Sequence, residues 1–120
     1  MEQINGEQMD SRWIKDFPVA VTVCDNSGII TEMNEKSAEI FKDDGGYDLI
    51  GKNLLGCHSS ESNEKIRRIS ESGQPNVYTI EKNEKKKLIY QAPWYDNGAM
   101  QGLVELSIEI PFEMPHFKRS

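Results

Sequence analysis

The segment from Val19 to Phe41 places the tightest limit on what this chain can fold into. Val19 to Cys24 is rich in β-branched side chains and runs into Asp25-Asn26-Ser27-Gly28, after which Ile29, Ile30, Thr31 and Met33 follow. Polar residues ending in glycine between two such runs mark a tight reversal, so the segment reads as a β-hairpin. Asn34 then precedes Glu35 to Phe41, where apolar residues return at helical spacing. Its side-chain oxygen is suited to accept from one of the first unpaired helix N–H groups, which makes Asn34 the N-cap of a short helix.

The last third of the chain reads as sheet. Asn76 to Glu81 alternates, a charged tip follows, and Leu88 to Tyr95 returns to a second reversal at Asp96-Asn97-Gly98. Asn-Gly tolerates the positive φ that a two-residue hairpin turn needs. Gly102 to Ile110 alternates without a fault, with Val104, Leu106, Ile108 and Ile110 on one side and Glu105, Ser107 and Glu109 on the other. The apolar side is expected to face the core and the glutamates the solvent.

Between these sheets Lys42 to Gly46 is loop by composition, and Tyr47 to Ile50 is a turn of helix before Gly51. A helix is expected from Ser59 or Ser60 through Ser72, ended by Gly73. Its apolar stripe is thin, carried by Ile66 and Ile69, so it should be loosely held. Ahead of the first hairpin, Trp13, Ile14 and Phe17 allow one or two helical turns over residues 11–17, stopped by Pro18. Residues 1–10 carry too little apolar surface to order themselves and are expected to be flexible. The single domain then spans residues 11–110, with an extended tail over residues 111–120.

A chain of 120 residues encloses one core, so any output activity is expected on another chain. The net charge of −6 argues against a nucleic-acid partner, since phosphate surfaces are held by clustered cations. The one basic cluster, Lys85-Lys86-Lys87, follows Glu81 and Glu84 and reads as a solvated hairpin tip. No apolar run approaches the ~20 residues needed to cross a bilayer, and Met1 to Gly6 lacks the marks of a secretion signal, so no membrane association and a cytoplasmic location are expected. Cys24 and Cys57 are then expected as free thiols. No nucleophile with a base, no opposed carboxylate pair and no phosphate-cradling glycine loop is apparent, so the chain does not read as an enzyme.

Strand, Asp- and Gly-bearing turn, strand, Asn34 and short helix, in that order, resemble the opening of a PAS domain. Tyr47-Asp48-Leu49-Ile50-Gly51-Lys52-Asn53-Leu54 is similar to the segment that leads into that family's later helix. The resemblance covers roughly residues 17 to 110. It implies an α+β fold, a five-stranded antiparallel sheet with short helices packed on one face. It also implies a stand-alone sensory or regulatory module that binds a small, largely apolar ligand between sheet and helices and signals to a partner protein, as a homodimer. Two alternatives stay open: a ligand-free interaction module, and a haem or redox sensor acting through Cys57 or His58.

The residues expected to line the ligand cavity are Met33, Phe41, Leu54, Cys57, His58, Ile66, Ile69, Tyr90 and Leu106. The plainer account of the apolar ones is that a domain of this size must bury them in any case. Cys57-His58 stands out chemically, since a thiolate or imidazole can ligate haem iron or a metal. Neighbouring residues in an extended segment point to opposite sides, however, and no spacing matches a closed zinc site. Light-sensing flavin members of the family carry Gly-x-Asn-Cys, and Leu54 stands where that cysteine would be, which argues against flavin adduct chemistry. Ile50-Gly51-Lys52-Asn53 followed by Cys57 is similar to the branch that carries a p-coumarate-type chromophore. The Tyr and Glu that hold that phenolate are replaced by Met33 and Ser37, which argues against that chromophore too. Haem-binding members of the family place their histidine within the later helix, whereas His58 precedes it, which leaves haem open without indicating it.

Overall fold

The computed structural model describes residues 12–53 and 60–120, the side chains of 60–63 and 65 excepted. In chain order its elements are α1 (Arg12–Lys15), β1 (Ala20–Asp25), β2 (Ile30–Met33), α2 (Glu35–Ile40), two 3₁₀ turns (Lys42–Asp44 and Gly46–Leu49), α3 (Ser60–Ser72), β3 (Asn76–Lys82), β4 (Lys85–Asp96) and β5 (Ala99–Ile110). The strands form one antiparallel sheet in the order β2-β1-β5-β4-β3, so the first hairpin joins the C-terminal ribbon through β1 and β5. Helices α2 and α3 lie on one face, the α+β arrangement expected from the sequence, while α1 lies against the other. The expected flexibility of residues 1–10 and the expected N-terminal cap of α3 lie outside the described residues.

Local chemistry accounts for the turns. Asp25 accepts from the backbone N–H groups of Ser27 at 2.8 Å and Ile29 at 3.0 Å, so its carboxylate holds the first reversal closed. Asn97 and Gly98 have φ of 53° and 80°, the paired left-handed geometry of a two-residue hairpin. Asn83 and Glu84 adopt the same geometry at 54° and 63°. The strands are longer than the sequence suggests, and β4 runs through Pro93. Strand β3 begins at Asn76 opposite Gln91, so Pro93 lies beyond its end, where β4 has β5 alone for a neighbour and a missing N–H is tolerated.

The core divides into a pair of clusters. Cys24, Ile66, Ile69 and Leu103 form one, with Met100 against it, and Ile30, Met33 and Leu49 form the other, with Phe41 against it. Gly102 makes the approach of β5 to β1 possible: a Cβ there would sit 1.8 Å from the Cys24 carbonyl oxygen. Asn34 ties the elements together. Its Oδ1 accepts from Ser37 N at 3.0 Å, the expected cap, and from Val21 N at 2.9 Å, while its Nδ2 donates to the carbonyls of Val19 at 2.7 Å and Ile14 at 3.0 Å.

The orientation of β5 is opposite to the sequence expectation. Leu103 and Glu105 lie on the helix side, across from Cys24 and Thr22, whereas Leu106 and Ile108 lie on the outer side with Val21 and Val23. Alternation defines two faces without saying which one the helices cover. Here α2 and α3 carry few apolar side chains, and the stronger apolar stripe of β5 meets Trp13, Ile14 and Phe17 instead. Glu105, Ser107 and Glu109 therefore do not mark an outer, solvent-facing surface as a set. Glu109 is exposed and lies 3.6 Å from Lys85, but Glu105 faces inward.

Candidate functional site

Between the sheet and the helices lies a cavity of about 420 Å³. Its floor is Thr22 and Cys24 of β1, Gln91 of β4 and Leu103 and Glu105 of β5; its walls are Ile30 and Met33 of β2, Phe41, Asp44, Leu49 and Lys52; Ile66 and Ile69 of α3 form the roof. The segment bearing Lys52 is fixed to β2 through Ile30 N to Lys52 O at 2.9 Å and Gly51 N to Ile30 O at 2.7 Å. The stretch from Gly51 to Asn53 thus forms a side of the cavity wall.

Of the residues expected at a ligand site, the structure brings Met33, Phe41, Ile66 and Ile69 together around this cavity. Tyr90 and Leu106 do not line it. They pair with each other across β4 and β5 on the outer face, so both depart from the sequence expectation for the reason that inverted β5. Leu54, Cys57 and His58 lie outside the described residues, and with them the expected haem or redox centre. Among the described cavity residues the one thiol or imidazole is that of Cys24. Burial pushes that thiol above its ordinary range, with Asp25 and Glu105 adding and a backbone hydrogen bond at Leu103 opposing. A thiol held protonated is a poor ligand, so Cys24 itself is not suited to hold iron.

The sequence reading missed the polar portion of the floor. Asn76 Nδ2 donates to Gln91 Oε1 at 2.9 Å, and Gln91 Nε2 donates to Glu105 Oε2 at 2.7 Å, a chain running across β3, β4 and β5 into the cavity. Burial raises the Tyr78 phenol above its usual value, and the charge of Glu105 adds to the shift. Thr22 Oγ1 and Ser37 Oγ are 2.6 Å apart, joining the floor to α2. The signal for Gln91 and Glu105 is hidden by a bulge. A regular hairpin closed at Asn97-Gly98 would set Gln91 opposite Val104, but the register shifts between Trp94 and Tyr95 and sets it opposite Glu105.

On the other side of the sheet a groove of about 640 Å³ is lined by Trp13, Ile14 and Phe17 with Val21, Val23, Val104, Leu106 and Ile108. Trp13 and Phe17 meet edge to face with ring centroids 5.4 Å apart, yet both remain substantially exposed. Val77 and Tyr90 extend the apolar surface along β3 and β4. Among the described residues no group of His, Cys, Asp and Glu is arranged to hold a metal ion, and no helix is long and apolar enough to cross a membrane.

No known protein family and no curated protein sequence matches the chain. Solved structures do resemble it. The PAS domain of the histidine kinase ThkA matches with a TM-score of 0.63 and 18% identity over 75% of this chain and 97% of that one. A sensory box sensor histidine kinase from Vibrio cholerae matches at 0.59 and 16%, over 85% and 90%. VqmA of Vibrio cholerae, in a structure bound to DPO, matches at 0.64 and 16%, over 82% of this chain and 55% of VqmA, so this chain spans about half of that protein's length. Identities this low show the fold alone.

Proposed function

From the premise that this chain has a PAS-like fold, we propose that it is a sensory module that takes up a small molecule beneath α3 and passes occupancy to a partner protein through α1 and the outer face of the sheet. The observation that carries this reading is the combination of a cavity with a lightly fastened roof. Helix α3 meets the cavity through two buried isoleucines, while most of its described side chains are exposed. A ligand that binds one position of α3 better than another shifts the population between them, by as much as its affinities differ. A route outward exists in the hydrogen bonds already described: Thr22 of the floor holds Ser37, Ser37 N binds Asn34, and Asn34 holds the Ile14 carbonyl of α1.

Native mass spectrometry against the denatured mass tests the reading. The expected result is a native mass above the chain mass, or a multiple of it, by one small molecule per chain. For a weak ligand that washes out, a cell metabolite extract is expected to slow amide exchange in α3. Absence of both responses would defeat the proposal. The apolar outer surface supports a second reading, a pure interaction module whose partner is a second copy of the chain or another signalling protein. Light scattering of the Trp13→Ser, Tyr90→Ser double variant is expected to show weaker association than the parent chain, and an unchanged size would exclude that surface as the contact.

A further inference from the structure

We infer that the cavity selects a compact apolar molecule bearing a cationic nitrogen head, of the amidine or amine class, seated against Glu105. The inference rests on the cavity reading above and gives it a chemical sign. The cavity's polar groups are unequally distributed. An ionised carboxylate is acceptor-only and offers about four lone-pair positions. Glu105 gives one of them to Gln91 Nε2. The amide of Gln91 cannot turn its own carbonyl to the cavity without breaking two bonds, because Asn76 already donates to Gln91 Oε1. Both amides in the chain therefore donate toward Glu105, which orients the carboxylate and presents acceptor character to whatever lies above it.

The remaining polar wall points the same way. Asp44 contributes a second carboxylate and Lys52 the one cation among the described cavity residues, so the described lining carries more negative than positive charge. The hydroxyl of Thr22 is engaged by Ser37, and the Cys24 thiol is held neutral by burial. Among the described residues no cationic side chain forms an ion pair with Glu105. An anionic ligand would give up its hydration to face two carboxylates, whereas a cationic head replaces its hydration with charge-assisted hydrogen bonds. The rest of the described enclosure is apolar, Ile30, Met33, Leu49, Ile66, Ile69 and Leu103 with Phe41 and Val104, which suits an apolar body. At about 420 Å³ the space is in the lower range of small-molecule sites and matches a one- or two-ring body.

Three probes of one shape and different charge test this: benzamidine, benzamide and benzoate, titrated into the ¹⁵N-labelled full chain. The side-chain amide resonances of Asn76 and Gln91 report directly on the site. Benzamidine is expected to shift them with an affinity about ten-fold above benzamide, a loss of one charge-assisted contact, and benzoate is expected to bind weakest. Glu105→Gln keeps the shape and should erase the gap between benzamidine and benzamide. The comparison of the three probes on the parent chain needs no variant and stands if that variant misfolds. Benzamide and benzoate binding as well as benzamidine, or a Glu105→Gln chain that keeps the preference, overturns the inference and leaves the cavity reading intact. No probe moving any cavity resonance also overturns the inference, while the cavity reading is decided by the mass and exchange measurements above.

Discussion

Replacing Asn34 by alanine should cost this domain about 3–6 kcal/mol, a large share of the 5–15 kcal/mol by which a native domain is stable. The magnitude follows from what the side chain holds. Its loss removes the cap on Ser37 N, worth about 1 kcal/mol. It leaves the N–H of Val21, on a buried residue of β1, without the partner it has at 2.9 Å, at about 1–3 kcal/mol. It also frees the carbonyls of Ile14 and Val19, which lie near the surface and recover water, so each adds about 0.5–1 kcal/mol. Serine separates these contributions, since it can cap Ser37 but cannot span to Val21, Val19 and Ile14. Asn34→Ser should therefore be about 1 kcal/mol more stable than Asn34→Ala and still well below the parent. Urea denaturation followed by far-UV circular dichroism reads the difference as a midpoint shift of roughly 2–4 M for alanine, with an unchanged slope near 1.5 kcal/mol/M. An alanine variant within about 1 kcal/mol of the parent, or a serine variant equal to it, would refute the assignment of Asn34 as the tie between α1, β1 and α2.

Three further outcomes are expected. Gly102→Ala drives a Cβ into the Cys24 carbonyl and must push β5 away from β1 at the centre of the sheet, so it should cost roughly 3 kcal/mol or abolish folding, whereas Gly98→Ala, with open space around it, should lose only about 1–2 kcal/mol to its left-handed φ; thermal melts rank the two. Burial raises the Cys24 and Tyr78 pKa values, so the folded state keeps protons that the unfolded chain releases, and stability should be complete at neutral pH and decline above about pH 8.5, as urea midpoints measured from pH 7 to 10 will show. Ile69→Ala removes a side chain that is 3% exposed, but α3 can settle into the space, so the loss should fall at about 2–3 kcal/mol, the low end for such truncations, with hydrogen exchange in α3 accelerating more than in β5.

The features legible in the sequence were those decided over a few neighbouring residues. The turn at Asp25 to Gly28, the cap at Asn34, the stop at Gly73 and the Asn97-Gly98 reversal each rest on a side chain or a φ value that the residue type nearly dictates. What Asn34 does beyond its own helix is decided by β1 and α1, 13 to 20 residues away, and local patterning carries no trace of it. The face of β5 was illegible for a related reason. A period of two divides the strand into sides, and only the partner elements decide which side the helices take. One extra residue at the Trp94/Tyr95 bulge then aligned Gln91 with Glu105 and gave the cavity a polar floor, where charge alone had placed Glu105 in solvent.

The inverted sheet also bears on how such a domain can respond. Were the apolar stripe of β5 turned toward the helices, α3 would be sealed by a row of valine, leucine and isoleucine contacts, and a small ligand would add little to its position. With that stripe outward, α3 is fastened chiefly by Ile66 and Ile69, each contributing about 1.5–3 kcal/mol by burial. A ligand present at a hundred times its dissociation constant stabilises the bound form by about 2.7 kcal/mol, the same size as one of those two side chains. Occupancy of the cavity and attachment of its roof are therefore energetically comparable, which is the condition for one to move the other. The same inversion leaves the outer apolar face partly covered by α1, and α1 is held in turn by the Asn34 side chain, so the helix covering the outer face and the helix joined to the cavity floor through Thr22 and Ser37 share one buried amide.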